Sequence, residues 1–432
     1  MFKNNYCSAI AFALFASACS SCCQTPPNTK TECASLDEKL TWHGTNRDNL
    51  NQMMHSLGKC SEGYSESKKP IAMFDWDNTV VKNDVGDATF FYLLAHDLIL
   101  QPPNKNWRFT SRYLTSDATT ALDTACANLA AAQMPLPTAT NTACAKEILT
   151  IYADGKTTTG RAAFAGWDYR RTEPSYAWLA QLLGGRTKAD IQNFAQSAKN
   201  ENLNNPIDTM QTIGGVQVTH WVRVYDQIKD LVAKLQQNGF DVWIASASPQ
   251  PIVEVWATNV GVNADRVIGI RNIETAGKYD YNLQGCGDVP NGTNDGASNV
   301  TGNSMITYID GKRCWINKVV HGDNSATAMT KLADASRRHA FAAGDSDTDI
   351  AFMQDATTLK LAINRNKKEL MCNAYANAGG KWLVNPMFIA PKTQQTASYP
   401  CSTTGCKDSG GASVPCRDEN GQVIADQKDT VF

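Results

Sequence analysis

The stretch Ile71-Ala72-Met73-Phe74-Asp75-Trp76-Asp77-Asn78-Thr79 decides how this chain is read. Four apolar residues form a short buried-strand pattern that runs directly into two carboxylates, Asp75 and Asp77. A second stretch repeats the arrangement: residues 339–343 read as a strand, and Gly344-Asp345-Ser346-Asp347-Thr348-Asp349 follows. Either acidic cluster alone suits a solvated turn or a helix N-cap, where Asp is common. Two clusters after two buried strands point instead to acidic groups gathered at the carboxyl ends of a parallel sheet, where open α/β sheets bind ligands.

The surrounding pattern fits such a sheet. Residues 84–220 read as helical, with Phe90, Phe91, Leu93, Leu94 and Leu98 on one helix and two more over 121–132 and 143–152. This segment concentrates Trp107, Trp167, Tyr169, Tyr176 and Trp178, which ordinary core packing explains as well as ligand contact does. Next, Val224, Ile228, Leu231, Val232 and Leu235 fall at helical spacing before Gly239. Residues 240–245 form a strand that stops at Ser246. Residues 275–312 break the rhythm with Asn, Asp and Gly and read as a surface insertion. A helix over 326–338, the strand 339–343, a helix through Phe352-Met353 and a strand over 359–363 complete a β/α alternation. The expected fold class is α/β, a doubly wound parallel sheet with a helical cap inserted after its first strand.

Phosphoryl transfer suits these groups. Asp75 can attack phosphorus and form an acyl-phosphate, which divides one hard hydrolysis into two easier steps. Asp77 can protonate the leaving alkoxide and then take a proton from the attacking water. A carboxylate approaching a phosphate dianion meets like-charge repulsion, so a divalent cation is needed. Hard oxygen ligands from Asp75 and Asp345 favour magnesium.

On these residues the chain resembles the haloacid dehalogenase (HAD) superfamily. Asp75-Trp76-Asp77-Asn78-Thr79 is similar to its first motif, Ser246 at a strand end to its second, and Gly344-Asp345 with Asp349 to its fourth. The resemblance implies Asp75 and Asp77 as catalytic groups and Thr79 and Ser246 as phosphate-binding groups. It also implies a Mg2+ cofactor held by Asp75, the backbone carbonyl of Asp77 and Asp345, with Asp349 in support. The third motif is a Lys, for which Lys312, Lys318 and Lys331 are the candidates. Lys318 is preferred because it lies 345 − 318 = 27 residues before Asp345. The inserted helices resemble those of the phosphoserine phosphatase subgroup. Among exported members phosphorylcholine phosphatase is the suggested likeness, with Asp84 and Asp87 as a possible pocket for a cationic end. The expected function is hydrolysis of a small phosphorylated metabolite. Alternatives are a phosphoserine or related phospho-amino-acid phosphatase, and a non-catalytic surface binding protein on the same scaffold.

Composition sets the remaining bounds. In 432 residues, 42% are hydrophobic and 19% charged, which excludes global disorder, and a net charge of −2 gives no reason to expect nucleic acid. Residues 1–19 read as an export signal, with Lys3 ahead of an apolar run over 9–18. Ala16-Ser17-Ala18-Cys19 resembles the end of a bacterial lipoprotein signal, which makes Cys19 a lipid-anchor candidate; ordinary cleavage after Ala18 is the alternative. A periplasmic or outer-membrane lipoprotein, or a secreted protein, is the expectation. Residues 20–69 read as tether and lead-in, 70–83 and 221–395 as the catalytic core, 84–220 as the cap, and 396–432 as a cystine-rich tail. Ten Cys beyond the signal region fall in clusters that suit disulfides: Cys33–Cys60, Cys126–Cys144, Cys286–Cys314, and two more among Cys372, Cys401, Cys406 and Cys416.

Overall fold

The apolar run before Asp75 becomes β1 (Ile71–Phe74), a strand whose last three residues are buried. A computed structural model describes residues 32–286 and 305–432; the proposed export signal and Cys19 lie outside the described residues. Before β1 stands α1 (Asn46–Leu57). After it come β2 (Val81–Lys82), α2 (Val85–Ala95), α3 (Ser116–Cys126), α4 (Thr142–Asp154), α5 (Pro174–Gln181) and α6 (Lys188–Asn204). Then follow β3 (Met210–Ile213), β4 (Val216–Thr219), β5 (Arg223–Val224), α7 (Asp226–Gln237), β6 (Asp241–Pro249), α8 (Gln250–Ala257) and β7 (Val267–Ile270). The last part holds β8 (Asn272–Thr275), β9 (Lys278–Leu283), α9 (Asp310–Val319), β10 (Phe341–Gly344), α10 (Ile350–Asp355) and β11 (Leu359–Asn364). It closes with α11 (Lys368–Ala376), β12 (Trp382–Pro386), β13 (Cys406–Lys407) and β14 (Ser413–Val414).

Six strands make one parallel sheet in the order β12-β11-β10-β1-β6-β7. Its register places the site. Phe74 lies opposite Ala343 of β10 and Ile244 of β6, so Asp75, the turn after β10 and Ser246 come side by side. β6 does not stop at Ser246 as expected but runs on to Pro249. The Asp75 amide still donates to the Ala343 carbonyl at 2.9 Å, which holds the first acidic residue to the sheet. Helices cover both faces, as a parallel sheet requires. In α7, Ile228, Leu231, Val232 and Leu235 are buried at the spacing of one helical face, and Gly239 follows with φ +86°.

Several expectations shift. Residues 326–338 form only a 3₁₀ turn over Ala335–Arg337. Local bonds compete with a helix there: the Thr330 hydroxyl donates to the Thr327 carbonyl and the Ser325 and Thr327 hydroxyls bond each other. Only Ala328 is buried among the hydrophobic side chains of this stretch, so no apolar stripe supports a helix. The helical segment ends in a β3–β4 hairpin turned by Gly214 and Gly215 at positive φ. The expected lead-in is less of a tether than its composition suggests, because Leu36, Leu50, Met53 and Met54 are buried in the main core. Residues 33–432 form one compact unit. No described helix is long and apolar enough to cross a membrane.

All ten expected Cys pair. Cys33–Cys60, Cys126–Cys144 and Cys286–Cys314 form as anticipated, and the tail resolves into Cys372–Cys401 and Cys406–Cys416. Residues 287–304, the middle of the loop between Cys286 and Cys314, lie outside the described residues.

One ion cluster ties the segment before α5 to the core. Arg170 reaches Glu369 of α11 at 2.8 Å and Asp310 at the start of α9 at 3.3 Å, and its guanidinium also donates to the Lys407 carbonyl of the tail. Burial pushes the Glu369 carboxyl up to about 7 even against the Arg170 charge. Arg170→Ala leaves two acids without their cation, and breaking a largely buried pair costs roughly 3–5 kcal/mol. Urea unfolding of the variant is expected to show that loss; a change below about 1 kcal/mol would mean the cluster is solvated like a surface pair.

Candidate active site

Asp75 leaves β1 only 4% exposed. One of its oxygens accepts from Lys312 Nζ at 2.7 Å, and the other from the Thr79 hydroxyl at 2.9 Å. The same hydroxyl lies 3.0 Å from Asp345 Oδ1, so its single proton chooses between two carboxylates. Lys312 also donates to Asp349 Oδ1 at 2.7 Å. Its ammonium is wholly buried. Burial draws its pKa down, but Asp349 and Asp75 more than reverse that and leave it raised. Burial dominates at Asp75 and pushes its carboxyl up to about 6, with the Lys312 charge working against it.

The fourth-motif loop is built around Asp349. Its Oδ2 accepts from the backbone amides of Asp345 and Ser346, both at 3.0 Å. Gly344 is obligatory here, because a Cβ at that position would stand 2.6 Å from Asp349 Cβ. The Asp345 carboxylate pairs with Arg365, the residue just after β11, at 2.8 Å.

Asp77 faces elsewhere. Its Oδ1 accepts from the Val85 amide at 2.7 Å, and its Oδ2 from the hydroxyls of Ser246 at 3.1 Å and Ser248 at 2.8 Å. Burial raises its pKa well above the carboxylate range, and the charges of Asp84 and Asp75 add to this. Two carboxyls two residues apart therefore sit in different surroundings, one ion-paired to a lysine and the other among amide and hydroxyl donors where burial raises its pKa.

Lys318 is not the lysine that reaches Asp75. Its Nζ donates to the Gly285 carbonyl at 3.2 Å and lies 4.7 Å over the Trp315 ring. It stands six residues beyond Lys312 on α9, about 9 Å along the axis and roughly a third of a turn round. The two side chains cannot point to one place. Lys331 donates to Glu419 and to the Gln354 carbonyl, also away from the site. Lys312 stood among the candidates but fell within the stretch read as a surface insertion. In the fold it is the third residue of a helix entered through Ile309, whose φ of +47° is costly for a β-branched residue.

A cavity of about 590 Å³ opens over Asp75. Asp84 and Asp87 line it as expected. Asp84 caps α2 by accepting from the Asp87 amide at 2.9 Å, and Asp87 accepts from the Tyr152 hydroxyl at 2.6 Å. Burial and the Asp84 charge push Asp87 up to about 7. The aromatic wall consists of Phe91, Tyr152, Tyr169, Tyr176 and Tyr308. The tryptophans stay out of it: Trp107 and Trp178 are wholly buried, and Trp178 donates to the Thr110 hydroxyl. Sequence reasoning missed Ser248, Arg365, Tyr152 and Tyr308 in this cavity. Ser248 sits two residues past Ser246 in the same strand, a signal that was available; the others come from distant segments and left none.

A divalent cation fits the acidic cluster. Carboxylate oxygens of Asp75, Asp345 and Asp349 lie within 4.8 Å of one another, a hard-oxygen set suited to magnesium. The Asp77 side chain is committed to Val85, Ser246 and Ser248, which leaves its backbone carbonyl as the group implied by the resemblance.

Residues 156–354 match the family model of haloacid dehalogenase-like hydrolases. That match begins beyond Asp75, so the sheet register, not the match, joins Asp75 to Lys312 and Asp345. No curated protein matches the chain in sequence. Among solved structures, a conserved protein of unknown function from Anaerococcus prevotii DSM 20548 is 20% identical with a TM-score of 0.56, covering 81% of this chain and 94% of its own, a likeness of fold. A protein of unknown function from Bordetella pertussis Tohama I is 15% identical with a TM-score of 0.40, covering 74% of this chain and all of its own. A substrate-bound phosphoserine phosphatase is 13% identical with a TM-score of 0.30, covering 68% of this chain and 86% of its own.

A cation must displace protons from carboxyls whose pKa burial has raised. With Asp75 at about 6, its ionised fraction falls about tenfold between pH 7 and pH 5. Magnesium affinity measured calorimetrically is expected to drop by at least about tenfold over that interval, with proton release on binding. An affinity flat from pH 7 to pH 5 would remove Asp75 from the ligand set.

Proposed function

We propose that the haloacid dehalogenase-like hydrolase domain carried by this chain is a magnesium-dependent phosphomonoesterase acting on a small phosphorylated metabolite through an aspartyl-phosphate. The observation that carries this reading is the divergence of Asp75 and Asp77. Asp75 is oriented by Lys312 and Thr79, and burial with its acidic neighbours raises the pKa of Asp77, which favours the acid form that can give a proton. Asp75 attacks phosphorus as the bond to the ester oxygen breaks, and Asp77 gives its proton to the departing alkoxide. Asp77, now a carboxylate, then takes a proton from the water that attacks the acyl-phosphate, which frees inorganic phosphate and restores Asp75. Lys312 lies where it can meet charge developing on the phosphoryl oxygens. Ser246 and Ser248 set the orientation of Asp77 and are the hydroxyls nearest it. Bound magnesium, with Asp75, Asp345 and the Asp77 carbonyl as its expected ligands and Asp349 beside them, would offset the repulsion between carboxylate and phosphate dianion.

The far wall of the cavity supports a substrate with a cationic end. Asp84, Asp87 and Glu173 supply negative charge beside Tyr152, Tyr176 and Tyr308, a combination that favours an ammonium through charge and cation–π attraction. Phosphorylcholine is the specific candidate. Arg365 and Lys367 in the same cavity favour a second reading, a phospho-amino acid whose carboxylate they would meet. An intact set of Asp75, Asp77, Lys312 and Asp345 argues against a scaffold that only binds. Five disulfides support an exported protein, since such bonds persist in oxidising compartments.

Turnover of an aryl phosphate with magnesium tests the chemistry. Asp75→Asn is expected to lower kcat by on the order of a thousandfold or more with the fold retained. Asp77→Asn is expected to be severe as well and to let phosphoenzyme accumulate, detectable by acid quench and mass measurement. Activity of Asp75→Asn within about tenfold of wild type, or a wild type indifferent to EDTA, would overturn the mechanism. In a metabolite panel, Asp87→Asn is expected to raise KM for phosphorylcholine by about tenfold and leave an aryl phosphate without a cationic end unchanged. Equal effects on both would remove the cationic pocket.

A further inference from the structure

A second cavity of about 240 Å³ adjoins the catalytic one. Asn78, Asp84, Asp87, Phe91 and Arg365 belong to the walls of both. Beyond it lies a more open recess, which shares Lys82, Asn83, Thr219, Trp221 and Lys392 with the second cavity. The shared residues string the three spaces together, from Asp75 outward past Arg365 and Lys82.

Lys82 is the group along this path that the mechanism leaves without a use. It is 8% exposed, at the end of β2, where pairing with Arg223 fixes its backbone. Its ammonium donates to the Ala390 carbonyl at 3.3 Å and lies 3.8 Å from the Met387 sulfur. Among the described residues it makes no ion pair with a carboxylate. Burial, together with the like charges of Lys392 and Arg365, holds its pKa down, while Asp208 and Asp345 act in the other direction. An ammonium taken out of water, given one neutral oxygen and a thioether, and sharing a cavity wall with two more cations is a charge that its own hydrogen bonds do not compensate. Asp84 and Asp87 also line this cavity, but neither forms an ion pair with Lys82, and one oxygen of each is taken, by the Asp87 amide and the Tyr152 hydroxyl.

We propose that Lys82, Lys392 and Arg365 form a second oxyanion site, of a size for phosphate, beside the catalytic cavity. An anion seated there supplies the counter-charge that Lys82 lacks. The use of the site rests on the phosphatase reading. Each turnover leaves one inorganic phosphate beside Arg365, and these cations mark a route for it that is separate from the aromatic and acidic wall of Tyr169, Glu173 and Asp347. The same chemistry would also hold a second anionic group of the substrate.

The test is a calorimetric titration of inorganic phosphate into the full-length protein, run beside turnover of an aryl phosphate. Wild type is expected to show two classes of phosphate site. Lys82→Met removes the second, and Lys392→Ala weakens it by about tenfold, while kcat/KM for the aryl ester stays within about twofold. Lys392 is exposed, so its substitution spares the fold and decides the matter even if Lys82→Met unfolds. A single class of site, or two classes that Lys392→Ala leaves unchanged, overturns the proposal. Non-competitive inhibition by phosphate that becomes purely competitive in Lys392→Ala assigns the site to the departing product. A KM increase confined to bisphosphorylated substrates assigns it to the substrate, and either result upholds the site. An inactive protein that keeps the Lys392-dependent phosphate site refutes the phosphatase reading and leaves the site standing; an active enzyme with one phosphate site does the reverse.

Discussion

A single buried ammonium organises the centre of this molecule. Lys312 is taken wholly out of water and donates at 2.7 Å to both Asp75 and Asp349. Three acids, Asp75, Asp345 and Asp349, crowd into one small volume at the end of the sheet, and like charges at such distances cannot all ionise unaided. Lys312 supplies the opposing charge, and Arg365 supplies another on the Asp345 side. Each cation arrives from a different element, one from α9 and one from the end of β11. The acidic site therefore depends on the correct seating of elements that lie far apart in the chain.

That seating follows from the sheet. β1 runs between β10 and β6 in matched parallel register, so Asp75 and Asp345, just past their strands, meet Ser246 of β6 at one end of the sheet. The first turn after β1 then sends Asp77 away from the cation-binding side and towards Ser246, Ser248 and the start of α2. Two residues of chain separate a carboxylate beside a lysine from a carboxyl whose pKa burial raises, and the difference in environment gives them separate tasks.

Stability is invested around the site as well as beneath it. Arg170 joins the segment before α5 to α9, α11 and the tail, and the Tyr169 amide donates to the Ser409 carbonyl of the loop closed by Cys406–Cys416. Lys407 of that loop stands 4.7 Å over the Tyr169 ring. A cavity wall is thus supported by a tail whose composition gave no hint of involvement. Crosslinks and a shared ion cluster restrict the motion of segments that lack a long apolar face of their own.

The sequence by itself determined which strands carry the site and what stands on them, though β6 runs past Ser246 to Pro249. An apolar run into Asp75, another into Gly344-Asp345 and a third into Ser246 are local patterns, and period and burial make them legible without a fold. Local disulfides were legible for the same reason, because pairs such as Cys126–Cys144 close short loops. The helix expected over 326–338 was misread because hydroxyl-to-backbone bonds outweighed a weak periodicity. Tertiary structure alone decided which lysine serves the site. Interval in the chain favoured Lys318, yet helix phase and the entry angle set at Ile309 turn Lys312 inward and Lys318 onto Trp315. Arg365, the tyrosine wall and unpaired Lys82 were equally invisible, since each owes its meaning to neighbours brought from remote segments. Charge and aromaticity are written in the sequence, but desolvation and the distance to a partner exist only once the chain has folded.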